Sequence, residues 1–156
     1  SSAASDVYKR QSQDLSQNRP AEAREHVRRF HELFFGLSPQ KDAIEHNINR
    51  ALQLADRSAY HYYVDFAEKG YYNRLVSGNI NQVVHVDSVV CDFSGYPYKA
   101  VTHARQLIIR ESNVTERSLV TSCELQNASR SDDNPNGFII EHLVILENRD
   151  IRSVER

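Results

Sequence analysis

Apolar side chains in the first half of the chain recur every three or four residues, which is the spacing of one helix face. A first helix is predicted to begin at Asn18, Arg19 and Pro20, where a capping residue precedes a proline, and to end near Gly36. Ser38 and Pro39 are predicted to open a second helix. A third helix is predicted over residues 58–69 and a short helical turn over 71–76.

After residue 79 the hydrophobic period changes to two, which is typical of strands. A first strand is predicted to run to Cys91, and three more at residues 98–110, 114–127 and 138–148. The last of these contains the most apolar run in the chain. We interpret it as a central strand that is buried on both faces.

Helices that precede all the strands favour an α+β fold, with N-terminal helices packed on a four-stranded antiparallel meander sheet. Strands of this length are expected to twist and curl strongly. A curled sheet wrapped around helices leaves a cone-shaped interior, which resembles the nuclear-transport-factor-like fold. We interpret residues 1–18 as a flexible lead-in, 19–150 as a single domain and 151–156 as a polar tail.

Composition narrows the class of protein. The 156 residues suffice for one domain, and a net charge of −2 does not suggest a strongly basic nucleic-acid binder. No run approaches the ~18–20 apolar residues of a membrane span. The chain contains no Met and begins at Ser1, so we expect a processed form or an excised fragment.

The sharpest local motif is Asn134-Pro135-Asn136-Gly137, preceded by two aspartates. Proline presets φ at the second position of a type I turn, and asparagine and glycine suit the first and fourth positions. One interpretation is a well-made turn with no further role. The other is a rigid, exposed loop that serves as a contact surface.

A resemblance to a known family extends well beyond this turn. The Asn-Pro-x-Gly motif ahead of an apolar final strand resembles the signature of the eighth VirB component of type IV secretion systems. The match is closer to the TraK proteins of conjugative transposons. It is carried by residues 13–20 (QDLSQNRP), 66–73 (FAEKGYYN), 78–83 (GNINQV), 130–137 (RSDDNPNG) and 146–150 (LENRD). The Ser-rich start, up to about Gln11, lies outside the resemblance and is interpreted as a remnant of cloning.

The resemblance implies the periplasmic domain of a single-span inner-membrane protein whose anchor helix has been cut away. The implied role is assembly: contacts with other secretion-channel components and self-association, with no catalysis, no cofactor and no direct nucleic-acid binding. The residues of the family motif that the resemblance assigns to this chain are Asn134, Pro135 and Gly137, and Asn136 occupies the variable position of the motif. These four residues are the candidate protein-contact turn, and the first helix and the exposed sheet face are candidate self-association surfaces.

The rival hypothesis is a small-molecule binder or isomerase-type enzyme that uses the cavity of the curved sheet. Such enzymes place Asp, His and Tyr in the cone for proton transfer. His61, Tyr63 and Asp65 are two residues apart on a helix, so they are expected to point in different directions. We therefore assign no catalytic residue, and a cavity with converging polar groups would favour the rival.

Histidines on three predicted strands raise the question of a metal site. His85, His103 and His142 would share a site only if all three faced one side of the sheet. A register slip of one residue reverses that facing, and no His-Glu-x-x-His motif is present. We therefore assign no metal ligand.

We predict that Cys91 and Cys123 are free thiols. In a meander the second strand separates them by ~10 Å, which exceeds the ~7 Å reach of a disulfide. Thiol titration of the unreduced, denatured chain is expected to find two thiols. Finding none would contradict the meander order.

Overall fold

The computed structural model describes residues 2–156, with side chains from residue 18 onward. Four helices come first in the chain: α1 (Ser2–Phe35), α2 (Lys41–Leu52), α3 (Arg57–Glu68) and α4 (Tyr71–Ser77). Five strands follow: β1 (Asn81–Asp92), β2 (Tyr98–Ile109), β3 (Asn113–Asn127), β4 (Phe138–Glu147) and β5 (Asp150–Glu155). Within these residues, no helix has the length and apolar character that a membrane span requires.

The strands form one antiparallel sheet in which β1, β2, β3 and β4 are neighbours in chain order. The predicted α+β class and the meander are therefore confirmed. Bulges interrupt the pairing between Val86 and Ser88 in β1 and between Ser122 and Glu124 in β3. Bulges bend strands and increase their twist. The strong curvature of the sheet and its cone-shaped interior stay predictions.

The sheet has five strands rather than the predicted four. Residues 151–156, interpreted above as a polar tail, lie mostly in β5, which pairs with residues 113–117 of β3. The pairing of β4 covers only residues 120–127 of β3, so the first third of that long strand is free to take another neighbour. All six residues of β5 are exposed, and the strand therefore lacks the buried alternation that sequence patterns reveal.

The most apolar strand, β4, lies beside β3 alone in the meander, and the prediction of a central strand buried on both faces is wrong. Val144 and Leu146 are exposed on its outer face. Its second edge is covered by the helical layer instead of by another strand. The Ser58 hydroxyl accepts the N–H of Leu143 at 2.8 Å, and the Tyr62 hydroxyl accepts that of Ile145 at 3.0 Å.

The first helix begins at Ser2, so the predicted start at Asn18 is wrong. Pro20 lies inside the helix rather than in its first turn. A proline removes one backbone hydrogen bond, and the Gln, Lys, Arg and Ala residues before it are good helix formers despite their polarity. The side chains of residues 1–17, where the predicted lead-in lies, are outside the described part of the chain.

The second helix begins at Lys41, three residues after the predicted cap at Ser38. Leu37 exchanges two backbone hydrogen bonds with Gln82 of β1, at 2.7 and 2.8 Å. This bridge holds the chain extended, and Gln40 is still in extended conformation. A long-range pairing therefore overrides the local start signal.

The core forms where one face of α1 meets the sheet and α2. Ala23, Val27, Phe30 and Phe34 are buried on that face, and the rings of Phe30 and Phe34 stack with centroids 5.2 Å apart. Each large apolar side chain buried in this way contributes about 1.5–3 kcal/mol. The apolar spacing predicted for the first helix is therefore confirmed as a buried face.

The two cysteines are free, as predicted. Ala100 of β2 pairs with Cys91 of β1 on one side and with Cys123 of β3 on the other. The thiols therefore lie two strand steps apart.

A buried histidine ties α1 to the central strand of the sheet. One ring nitrogen of His31 contacts the carbonyl of Val27 at 2.7 Å, and the other contacts the hydroxyl of Thr121 at 2.7 Å. The carbonyl can only accept, so Nδ1 carries the proton and Nε2 accepts from Thr121. Burial lowers the pKa of His31 to about 4 from an ordinary 6.5, so the ring stays neutral near pH 7.

We predict that acid weakens the fold through His31. Between pH 6.5 and 4 the unfolded chain binds a proton that the buried ring does not, so the free energy of unfolding falls as the pH drops. The contribution lost from this residue is about 3 kcal/mol. Urea unfolding of the wild type and of His31→Gln at pH 7 and pH 4 measures it.

The variant is expected to lose less stability over this interval than the wild type. His46→Gln, which changes an exposed histidine on α2, is the matched control and should keep the wild-type pH dependence. Equal pH dependence in the wild type and in His31→Gln would contradict the assignment.

Candidate functional site

The motif at residues 134–137 forms a hydrogen-bonded turn that leads directly into β4. The N–H of Gly137 donates to the carbonyl of Asn134 at 3.3 Å and to the Asn134 side-chain oxygen at 3.0 Å. The Asn134 amide nitrogen donates to the carbonyl of Phe138 at 2.7 Å. Asn134 is buried, so its side chain holds the turn from inside rather than presenting itself to a partner.

Gly137 is required by the backbone of this turn. Its φ of +70° lies in the left-handed region that glycine adopts without strain. A Cβ at this position would lie 2.9 Å from the carbonyl oxygen of Ala128. Gly137 therefore shapes the turn and adds no contact surface.

Arg19 of α1 clamps the turn from the side. Its guanidinium donates to the carbonyls of Asn136 and Gly137, the latter at 2.7 Å, and to the side-chain oxygen of Asn127 at 2.8 Å. The same group lies 3.6 Å from the centroid of the Phe138 ring. One charged side chain therefore joins α1, the end of β3 and the start of β4.

A second arginine completes the clamp through a shared carboxylate. Glu22 accepts from Arg19 at 2.9 Å and from Arg130 at 2.8 Å. Arg130 also donates to the carbonyl of Pro135 at 3.2 Å. The hydrogen bond from Arg130 holds the pKa of the Glu22 carboxyl below its usual value, so the carboxylate stays charged near neutral pH.

These contacts divide the turn into a buried half and a presented half. Asn134 and Gly137 are buried, while Pro135 and the preceding Asp132 and Asp133 are exposed. The turn therefore exposes one proline and two carboxylates to solvent. Its use as a protein contact stays a prediction.

The sequence patterns indicated the turn but not its clamp. Arg19 was interpreted only as part of a helix start, and Glu22 as an early acidic residue of that helix. Both meet residues more than 100 positions away, such as Asn127 and Arg130. Helical spacing and strand alternation describe local structure, so they do not predict contacts between residues this far apart in the sequence.

The structure does not bring the three strand histidines together. His85 lies beside Asp87, while His142 contacts the carboxylate of Glu124 at 3.0 Å. This hydrogen bond raises the pKa of His142. Within residues 18–156, the donors that could hold a metal are those of Glu124, Glu141 and His142, whose ligand atoms lie within 4.8 Å of one another.

The interior between helices and sheet is where the rival hypothesis places a small-molecule site. A cavity of about 30 Å³ lies there, and five aromatic and three amide side chains line it: Phe34, Phe35, Phe66, Tyr71, Tyr72, Gln82, Gln106 and Asn148. This is room for about one water molecule, whereas ligand pockets span roughly 300–1,000 Å³. Aromatic side chains fill the part of the interior in which a substrate would bind.

The aspartate and histidine side chains expected in such a site do not line this cavity. His61 and Asp65 are exposed, and Asp65 pairs with Lys69 at 3.1 Å. The Tyr71 hydroxyl bonds to the side chain of Gln82 of β1. These contacts link helices to the sheet rather than assemble an acid–base pair.

Solved structures that share this fold include three proteins of type IV secretion systems. The soluble domain of TrwG of the type IV secretion machinery from Bartonella grahamii matches with a TM-score of 0.61 at 15% identity, over 79% of this chain and 90% of its own. CagV, a VirB8 homologue of the type IV secretion system from Helicobacter pylori strain 26695, matches with a TM-score of 0.59 at 14% identity, over 85% and 99%. A TrwG component of a type IV secretion system from Bartonella birtlesii gives 0.59 at 14%, over 83% and 88%.

These likenesses show that the chain has the fold of VirB8-like domains. No protein-family model and no curated protein matches the sequence.

We predict that Arg19→Gln destabilises the domain by about 2 kcal/mol, because it removes charge-assisted hydrogen bonds and the contact with Phe138. Arg28→Gln is the matched control, since Arg28 is an exposed residue of the same helix, and it should stay within about 0.5 kcal/mol of the wild type. Urea unfolding near neutral pH measures both. Equal stability of the two variants would refute the clamp.

Proposed function

We propose that the chain is the periplasmic domain of an assembly subunit of a conjugative type IV secretion machine, similar to the TraK proteins of conjugative transposons. The observation that carries the proposal is the clamped turn at residues 134–137, set in the fold of the soluble domains of TrwG and CagV. The family resemblance extends from residue 13 to residue 150 and supports the same assignment.

In this proposal the domain offers surfaces and performs no catalysis. The turn is held in one conformation by Asn134 from inside and by Arg19 from outside. A loop that is rigid before binding loses little conformational entropy when a partner docks. Pro135 would then contact another component of the secretion channel during DNA transfer between cells.

The outer face of the sheet is the surface that we propose for self-association, together with α1. Val83 and Val90 of β1 and Val144 and Leu146 of β4 are exposed. Each pair places apolar side chains at one end of the four-strand meander, and such exposed apolar positions support our proposal of a protein contact there. A single anchor helix upstream of the chain would hold the domain at the inner membrane.

The small-molecule alternative has little support in the interior. The cavity of about 30 Å³ is too small for a substrate, and aromatic rings fill the surrounding space. We therefore propose no cofactor, metal or catalytic residue for this domain.

We predict that Pro135→Glu in the full-length subunit lowers conjugative transfer about tenfold or more, which corresponds to a loss of at least about 1.4 kcal/mol at the contact. The exposed position leaves room for the new side chain, so the domain should stay folded. Gly137→Ala is unsuitable because its Cβ would collide with the carbonyl of Ala128. Mating assays with donors that express only the variant measure the effect.

Ser112→Glu is the matched control, because it adds the same charge to an exposed turn between β2 and β3. Its transfer frequency should equal that of the wild type. Normal transfer by a folded Pro135→Glu subunit would reduce the turn to an architectural element.

A further inference from the structure

A groove beside the turn is not used by the contacts described so far. It lies between α1, α2 and the loop before β4, and its volume is about 250 Å³. Leu33 and Leu54 are its apolar lining residues, with 7% and 3% of their surface exposed, and Pro135 of the turn also lines it. The groove is therefore continuous with the surface that the turn presents.

Two walls of the groove carry opposite charge. Arg29 of α1 and Arg50 of α2 are exposed on the helical side, and Asp132 and Asp133 are exposed on the loop side. Within residues 18–156, none of these four side chains forms a salt bridge or a hydrogen bond with another residue. The neighbouring Arg19, Glu22 and Arg130 are fully paired by contrast.

A buried histidine also lines the groove. His26 is only 1% exposed, and its Nε2 contacts the carbonyl of Leu54 at 3.0 Å. The carbonyl can only accept, so Nε2 carries the proton and Nδ1 is left as an acceptor. Within residues 18–156, no hydrogen bond to Nδ1 is found, and His26 is a neutral, almost fully buried part of the groove lining.

We propose that the groove binds an extended segment of another channel component, in which an apolar side chain lies between an acidic and a basic residue. The apolar side chain would pack on Leu33 and Leu54, the acid would meet Arg29 and Arg50, and the base would meet the two aspartates. This inference rests on the proposed function, because it gives the turn and the groove one common partner.

The choice of a mixed-charge segment follows from the arrangement of the walls. A uniformly acidic segment would be repelled by Asp132 and Asp133, and a uniformly basic one by Arg29 and Arg50. A wholly apolar segment would leave all four charges without partners. Only a segment that carries both signs satisfies both walls at once.

The test uses defined peptides and the 156-residue chain in solution. The probe is acetyl-Glu-Gly-Leu-Gly-Lys-amide, and the comparison peptides carry Glu at both ends, Lys at both ends, or Gly in place of Leu. Binding is followed by amide chemical shifts in nitrogen-15 spectra. The mixed peptide should bind about fivefold more tightly than each comparison peptide, as expected for one lost charge pair or apolar contact.

A charge-swapped groove sharpens the test. In Arg29→Glu/Arg50→Glu both walls are acidic, so the preference should change to the peptide with Lys at both ends. Arg24→Glu/Arg28→Glu is the matched control, because it places the same charges on exposed positions of α1 that do not line the groove. The control should keep the preference of the wild type.

Three results would overturn the inference. The peptides could bind equally, the shifts could fall away from His26 and the groove walls, or the swapped groove could keep the wild-type preference. A fourth result would also overturn it. If sedimentation equilibrium shows that Arg29→Glu/Arg50→Glu abolishes self-association, the groove binds a second copy of the chain instead of another component. If Pro135→Glu loses transfer and any of these results is also found, the groove inference is wrong while the proposed function is still supported.

Discussion

One guanidinium group, that of Arg19, holds together three parts of the chain that are far apart in sequence. It donates hydrogen bonds to Asn127 at the end of β3 and to two carbonyls of the 134–137 turn, and it lies over the ring of Phe138 at the start of β4. Charge-assisted hydrogen bonds in a half-buried setting are stronger and more directional than those between neutral groups. The position of α1 on the sheet and the conformation of the turn therefore depend on each other.

The pattern of hydrophobic positions was sufficient to predict the helices and strands that bury one face. The stripe of α1 and the four meander strands lie where their periods predicted, because burial imposes those periods. It failed for β5, whose residues are all exposed, and for the start of α2, where the Leu37–Gln82 bridge dominates. The motif at 134–137 indicated a turn, but Arg19, Glu22 and Arg130 meet there only through tertiary packing.

One fold can occur in enzymes and in assembly domains, so the function has to be inferred from the interior and the surface rather than from the fold. Here the cavity between the helices and the sheet is only about 30 Å³ and is lined by Phe, Tyr, Gln and Asn side chains, while exposed polar groups lie around Pro135 and the groove next to it. Buried polar groups such as His31 and Asn134 are used to fix the framework. These hydrogen bonds fix the helix–sheet contact and the surface turn, and they do not line a large pocket.

The most direct test of this account is site-specific photo-crosslinking in donor cells, with a benzophenone amino acid placed at position 135 or at position 112 of the full-length subunit. Our account expects a crosslink from position 135 to one defined component of the secretion channel, and none from position 112. The absence of any crosslink from position 135 in cells that transfer DNA normally would contradict the claim that the turn is a contact surface.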